Sequence, residues 1–173
     1  VWGLSGIWEH TFNERAAGTV FAAHTRLRYS QSDDEGNDSN LSIVGVRAVH
    51  VLGETGATVL SGSLYAGVDT ERNLRSDGTS VLGGTALQVQ HRFMSGLTAG
   101  LRGGLQRSVY DRENPLFQVG RVDTLIDVAA TAEWQALPKL KVKPLIGFRR
   151  NISNTDLNDS KRLIGEISVR RDF

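Results

Sequence analysis

The feature that most constrains the fold of this chain is a set of nine long segments in which apolar and polar residues alternate. Alternation with a period of two is typical of a β-strand with one apolar and one polar face. Each segment has about 12–15 residues, whereas ordinary strands have about 5–6 and a tilted strand that crosses a bilayer needs about 9–11. The lengths therefore favour bilayer-crossing strands. Their approximate bounds are Val1–Phe12, Gly18–Ser30, Asn40–Leu52, Ala57–Asp69, Thr79–Phe93, Gly96–Tyr110, Arg121–Gln135, Lys139–Arg150 and Lys161–Phe173.

The connections between these segments alternate between short and long. An antiparallel sheet in this order has its short turns at one rim and its long loops at the other, as bacterial outer-membrane β-barrels do. A soluble meander has no physical reason to sort its loops in this way. The pattern predicts an all-β antiparallel transmembrane barrel in a Gram-negative outer membrane. The short connections are Asn13–Ala17, Gly53–Gly56, Met94–Ser95 and Ala136–Pro138, and the long ones are Gln31–Ser39, Thr70–Gly78, Asp111–Gly120 and Asn151–Ser160.

Composition excludes several other classes of protein. The chain has no run of about 18 apolar residues, which excludes a transmembrane α-helix. It has no cysteine, which excludes disulfides and thiolate chemistry, and its net charge of +1 gives no sign of a nucleic-acid partner. The histidines His10, His24, His50 and His91 lack the i, i+2 or i, i+4 spacing that suits a metal. We therefore expect no enzyme, no cofactor and no metal.

One acidic loop, Ser32–Ser39, is similar in composition to a calcium-binding loop. It lacks the glutamate expected at the twelfth position, because Val44 stands there when the count starts at Asp33. We therefore predict a solvated surface loop, which divalent ions can still bridge to lipopolysaccharide.

Aromatic residues separate two interpretations of the alternation. In a soluble lipocalin-like barrel the apolar face points inward, whereas in a membrane barrel it points to lipid. Phe12, Phe93, Trp134 and Phe173 each lie on the apolar face, at a strand end next to a short turn or the terminus. Rings at one depth are expected where a barrel meets lipid headgroups. We predict an aromatic belt at the short-turn rim, with Trp2 and Tyr29 as candidates for the opposite belt.

The polar face is predicted to line a lumen that is rich in charged residues. One interpretation is that these charges pair and brace the wall; the other is that a basic strip guides an anionic or polypeptide substrate. Pro144 lies mid-strand and removes a ladder donor, so it predicts a bulge or an edge that faces a gap. The predicted lumen-facing charges are Arg26, Arg28, Arg47, Arg92, Arg102, Asp127, Glu133, Lys141, Lys143, Arg149, Glu166 and Arg170.

The last segment resembles the closing strand of outer-membrane barrels, which the barrel-insertion machinery recognises. The predicted insertion signal is formed by Gly165, Ile167, Val169 and the terminal Phe173. With a periplasmic carboxy terminus and the long loops outside, the ninth strand and the first both run inward. Bacterial single-chain barrels have an even strand number and periplasmic termini, so we expect at least one further strand before Val1.

From Leu97 onward the chain resembles the surface lipoprotein assembly modifier (Slam) family. That resemblance implies the carboxy-terminal part of a barrel of about fourteen strands that follows a periplasmic tetratricopeptide-repeat domain. It also implies transport of lipoproteins or soluble binding proteins to the cell surface. The residues that support it are Tyr110-Asp111, Pro115-Leu116-Phe117, Arg121-Val122-Asp123, Trp134, Pro144, Arg149-Arg150-Asn151, Ser153-Asn154, Arg162 and Phe173.

Three functions stay open from the sequence. The preferred one is translocation of proteins to the cell surface, which the resemblance implies. A diffusion or polysaccharide-export porin needs only the polar lumen. An adhesin or anchor barrel would act through its loops. The expected partners are outer-membrane lipid, lipopolysaccharide, the insertion machinery and an exported lipoprotein or other polypeptide.

Overall fold

The computed structural model describes residues 1–28, 38–72, 75–93, 96–114 and 116–171. Each of the nine alternating segments forms a strand, and all nine strands lie in one antiparallel sheet in chain order. A short 3-10 turn, Asp156–Asn158, precedes the last strand. The strands are β1 (Trp2–Asn13), β2 (Ala16–Leu27), β3 (Ser39–Leu52), β4 (Thr58–Glu71), β5 (Ser80–Arg92), β6 (Leu97–Asn114), β7 (Val119–Leu137), β8 (Leu140–Ser153) and β9 (Ser160–Arg171).

The register assigns the residues of all nine strands to two faces of the sheet, one mainly apolar and one mainly polar. Residues that pair across strands share a face, so the row Trp8, Val20, Val46, Leu64 lies on the apolar face. The row Gly104, Asp127, Arg149 lies on the polar face.

The apolar face is the exposed one. Leu64, Leu101, Ile146 and Ile167 expose between 58% and 74% of their surface. The buried strand residues all lie on the polar face: Ser39, Gly45, Ser61, Ser80, Leu82, Ser108, Asp123, Ala129 and Gly147. The sheet therefore curves around its polar face, which is the reverse of a soluble barrel with a dry interior.

Strand pairing leaves the sheet open. Within the described residues, pairing runs from β1 to β9, and β9 does not pair with β1. The prediction of an all-β antiparallel fold is confirmed, while closure into a barrel stays a prediction.

The connection predicted at Asp111–Gly120 is mostly strand. β6 extends to Asn114 and β7 starts at Val119, and the register shifts between Val109 and Glu113 so that Glu113 pairs with Gly120. A β-bulge therefore lets this hairpin continue beyond its neighbours. Residues 111–114, by which β6 is extended, are all polar, so no apolar alternation marks the extension of this strand.

The expected bulge or edge at Pro144 is wrong. The pairs Thr131–Leu145 and Trp134–Val142 keep one register across it, and Pro144 pairs with Ile167 of β9. A backbone N–H of a strand is directed to one neighbour only, so a proline can interrupt the ladder with β7 and leave the pairing with β9 in place. The register shift between β7 and β8 lies instead at Gln135–Leu137, next to their short turn.

Candidate functional site: the polar face of the sheet

The register assigns most of the predicted charges to the polar face. These are Arg47, Arg92, Arg102, Asp127, Glu133, Lys141, Lys143, Arg149, Glu166 and Arg170. Their exposure to a lumen stays a prediction, since the sheet is open.

Arg26 is placed differently from the prediction. It pairs with Trp2 and Asn40, on the same face as Val20 and Ala22. Since β2 has apolar residues on both faces, alternation within this strand does not identify its outer side; the register with β1 and β3 does. Arg28 follows the last residue of β2 and is exposed.

A three-residue cluster crosses the middle of the polar face. Asp127 of β7 accepts a hydrogen bond of 2.9 Å from Arg102 of β6 and one of 3.2 Å from Arg149 of β8. Asp127 lies directly opposite Arg149 in the register. About half of each arginine side chain is exposed, against 20% of the aspartate. The carboxylate thus ties three neighbouring strands together, while both guanidinium groups stay open to solvent.

A second cluster lies nearer the short-turn rim. Glu133 is 2.7 Å from Lys143 Nζ and 3.5 Å from Lys141 Nζ. Across both clusters four cations share two carboxylates. The polar face between β6 and β8 is therefore braced by ion pairs. Guidance of an anionic or polypeptide substrate by the surplus cations stays a prediction.

The most enclosed ionic network lies near the long-connection rim, and the sequence analysis did not identify it. Arg121 of β7 donates a hydrogen bond of 2.7 Å to Asp77 and bonds of 3.1 Å from Nε to both carboxylate oxygens of Asp123. Its guanidinium lies 4.4 Å from the ring centre of Tyr110 on β6, within cation–π range. Both aspartates are less than a tenth exposed. The sequence signal for this network is the i, i+2 spacing of Arg121 and Asp123, which places both residues on the same face of a strand.

A second arginine fixes the loop that follows β4. Arg75 donates to Asp69 at 2.8 Å and to the carbonyl of Gly78 at 2.7 Å, and it also lies 5.5 Å from the ring centre of Tyr110. Gly78 has φ +78°, and a Cβ there would collide with Asp111 and Arg112. The turn at 75–78 is therefore held against the polar face by strands β4, β6 and β7.

The described members of the aromatic belt lie on the apolar face beside the short turns. Phe12, Phe93 and Trp134 are 66%, 45% and 51% exposed. His10 and His91 make edge contacts with the two phenylalanines, at centroid distances of 4.8 and 4.5 Å. Tyr29 and Phe173 lie outside the described residues. Contact of this belt with lipid stays a prediction.

The remaining predicted features divide between described and undescribed residues. Gly165, Ile167 and Val169 of the predicted insertion signal share the apolar face of β9. Within the described ranges there is no group of three or more side chains able to hold a metal ion, and most of the acidic loop Ser32–Ser39 lies outside those ranges.

Comparison with known proteins identifies no relative. No protein-family model, no curated protein and no solved structure matches the chain. The part of the chain that the structure describes contains no helix long and apolar enough to cross a membrane.

Proposed function

We propose that this chain forms the wall of an outer-membrane β-barrel channel that passes lipoproteins or secreted polypeptides to the surface of a Gram-negative cell. In this proposal the short turns and the carboxy terminus face the periplasm. The observation that supports it most is the arrangement of the two faces. Most charged residues of the strands and all of their buried residues lie on the enclosed side, and most of the large exposed apolar side chains lie on the other side.

A lipid environment explains the exposed apolar face. A soluble monomer rarely exposes a contiguous apolar patch larger than a few hundred Å², yet this face presents large apolar side chains on every strand from β1 to β9. Along β7, Trp134, Ala132, Ala130, Val128 and Ile126 follow one another at every second position. Eight residues of strand span about 26 Å, or about 20 Å along the membrane normal at a tilt of about 40°, which is most of the apolar band of about 25 Å in an outer-membrane barrel.

The charged polar face supports a channel. The clusters around Asp127 and Glu133 leave an excess of cations that are partly open to solvent. Such a strip attracts anionic or mixed-charge chains by long-range electrostatics. The resemblance to the Slam family supports polypeptide as the substrate class.

One observation favours the second candidate, a diffusion or polysaccharide-export porin. The turn at 75–78 packs on the polar face through Arg75 and Arg121. A turn folded onto the inner surface narrows the passage, which suits small solutes and single glycan chains better than polypeptides.

The membrane location is tested by fluorescence quenching. In a Trp2→Phe/Trp8→Phe background Trp134 is the only tryptophan. We expect vesicles made of brominated phosphatidylcholine to quench most of its emission, because Trp134 projects from the exposed apolar face. Unquenched Trp134 in a protein that stays soluble without detergent would contradict the membrane assignment.

The two transport functions are separated by paired assays on the full-length protein. A translocator is expected to increase protease-accessible lipoprotein on intact cells that co-express a lipoprotein from the same locus. A porin is expected to cause liposome swelling in sugars and to leave lipoprotein exposure unchanged. The Arg102→Gln/Arg149→Gln variant should lower lipoprotein exposure several-fold. The matched control is Arg15→Gln/Lys139→Gln, which removes two exposed cations from the short turns and none from the polar face. Swelling without lipoprotein exposure would favour the porin.

A further inference from the structure

Two cations lie opposite each other on the apolar face, toward the long connections. On β9 the apolar positions run up to Leu163, which pairs with Phe148 of β8, and the next pair on this face is Arg150 with Lys161. Beyond this pair β8 has one more exposed apolar side chain on the same face, Ile152. The side chains of Arg150 and Lys161 are exposed, and within the described residues neither forms an ion pair with a carboxylate.

Directly opposed like charges destabilise a β-ladder unless something neutralises them. An arginine fork beside a lysine is the arrangement that binds phosphate, through bidentate hydrogen bonds from the guanidinium and a point charge from the ammonium. The pair at Arg150 and Lys161 therefore favours an anion with phosphate chemistry.

An apolar groove lies farther along the same strands, and one residue pair on this face, Phe148 with Leu163, separates it from the two cations. It has a volume of about 550 Å³, within the range of ordinary ligand sites. Its lining includes Ala130, Ala132, Pro144, Ile146, Gly165 and Ile167. Gly165 lies four residues from Lys161, which is about 13 Å along the strand. This separation matches a phosphate headgroup and its acyl chain.

We infer that Arg150 and Lys161, together with the groove at Gly165, form a site for a phosphate-bearing lipid. The phosphate lies between the two cations and one acyl chain lies in the groove. Arg107 lies on the apolar face of β6. Leu105 of the same strand is level with Arg150, because both are aligned with Ile126 of β7, and Arg107 is two residues beyond Leu105 toward the long connections. It can meet a second phosphate of the same lipid. The site rests on the proposed membrane location.

The groove runs toward a natural reporter. Ala132 lines it, and Trp134 is two residues farther along the same face of β7. Two residues of strand span about 7 Å, so a bromine atom near the end of an acyl chain in the groove lies close to the indole.

The test uses the protein with Trp134 as its only tryptophan, in phosphatidylcholine vesicles. The vesicles contain a small, equal fraction of either brominated phosphatidic acid or brominated phosphatidylcholine with the same chains. We expect at least about twofold stronger quenching by the phosphatidic acid. Arg150→Gln/Lys161→Gln should reduce that quenching to the phosphatidylcholine level. Arg162→Gln should not, because Arg162 pairs with Arg149 on the polar face.

A second pair of variants tests the groove. Gly165→Leu should remove the extra quenching by filling the groove, whereas Gly103→Leu, also on the apolar face, should keep it. A Cβ at either glycine meets no atom within 4 Å, so both variants should fold.

Three results would overturn the site. The first is equal quenching of the parent protein by the two lipids. The second is an equal effect of Arg162→Gln and Arg150→Gln/Lys161→Gln on the quenching. The third is loss of the stronger quenching by phosphatidic acid when inorganic phosphate is added, which would mean that the site binds only the headgroup. Failure of membrane insertion is a separate result, because Trp134 would then stay unquenched even in fully brominated vesicles.

Discussion

Replacing Arg121 with alanine should destabilise the protein by roughly 2–4 kcal/mol. Removing one partner of a buried ion pair costs about 3–5 kcal/mol. We expect a smaller loss here because the Arg121 side chain is 17% exposed. Asp77 and Asp123 both lose the guanidinium that neutralises them. Tyr110 also loses its closer cation–π partner. Urea unfolding in vesicles, followed by tryptophan emission, measures the change.

The matched control for this variant is Arg112→Ala. Arg112 pairs with Glu71 on the same rim, but its side chain is 47% exposed. Partly exposed pairs of this kind contribute about 0–1 kcal/mol, so the control should unfold almost as the parent does. A loss for Arg121→Ala no larger than for the control would contradict the network's structural role.

Arg121→Ala should also release the turn at 75–78 from the polar face. Arg75 is 14% exposed in its side chain and held by Asp69 and Gly78. Once Arg121 no longer holds Asp77, we expect trypsin to cleave after Arg75 several-fold faster, which mass spectrometry of the fragments detects. An unchanged cleavage rate would mean that Arg75 alone fixes the turn.

The second large effect is expected from arginine placed on the apolar face. Ala130→Arg should cost about 2–4 kcal/mol, because a cation near the midplane of a lipid-facing strand is poorly solvated. Ala130 pairs with Leu101 and Ile146 on that face, far from both rims. The measurement is reversible urea unfolding in phosphatidylcholine vesicles.

Thr131→Arg is the control, because it adds the same charge one residue farther along the chain. Thr131 lies on the polar face, two residues from Glu133, and its partner Leu145 pairs with Glu166. Two carboxylates near this position should limit the cost to less than about 1 kcal/mol. Equal costs for both variants would contradict the assignment of the two faces.

These two experiments test different parts of the proposal. Arg121 acts through ionic contacts between β6, β7 and the turn at 75–78, whether or not lipid covers the other face. Ala130 is sensitive only to what covers the apolar face. If Arg121→Ala lowers the free energy of unfolding and Ala130→Arg does not, the protein is a stable sheet outside a membrane.

Much of the fold could be predicted from the sequence alone. All nine strands, their antiparallel order and the division of most residues between two faces follow from alternation and turn spacing. Alternation is local: each residue's face depends on its parity within one strand. It fails where a strand is apolar on both sides, as in β2 with Val20 and Phe21, and there Arg26 was misplaced.

Contacts between residues that are far apart in the chain could not be predicted from the sequence. The network at Arg121 joins Asp77, Tyr110 and Asp123, and the apolar groove joins Ala130 of β7 with Gly165 of β9. Contacts between strands depend on register, and the register shifts between Val109 and Glu113 and again near Gln135. No periodic pattern in the sequence marks either shift. Alternation along the chain predicts the strands and most of their faces, whereas pairing across the sheet brings the residues of each cluster together.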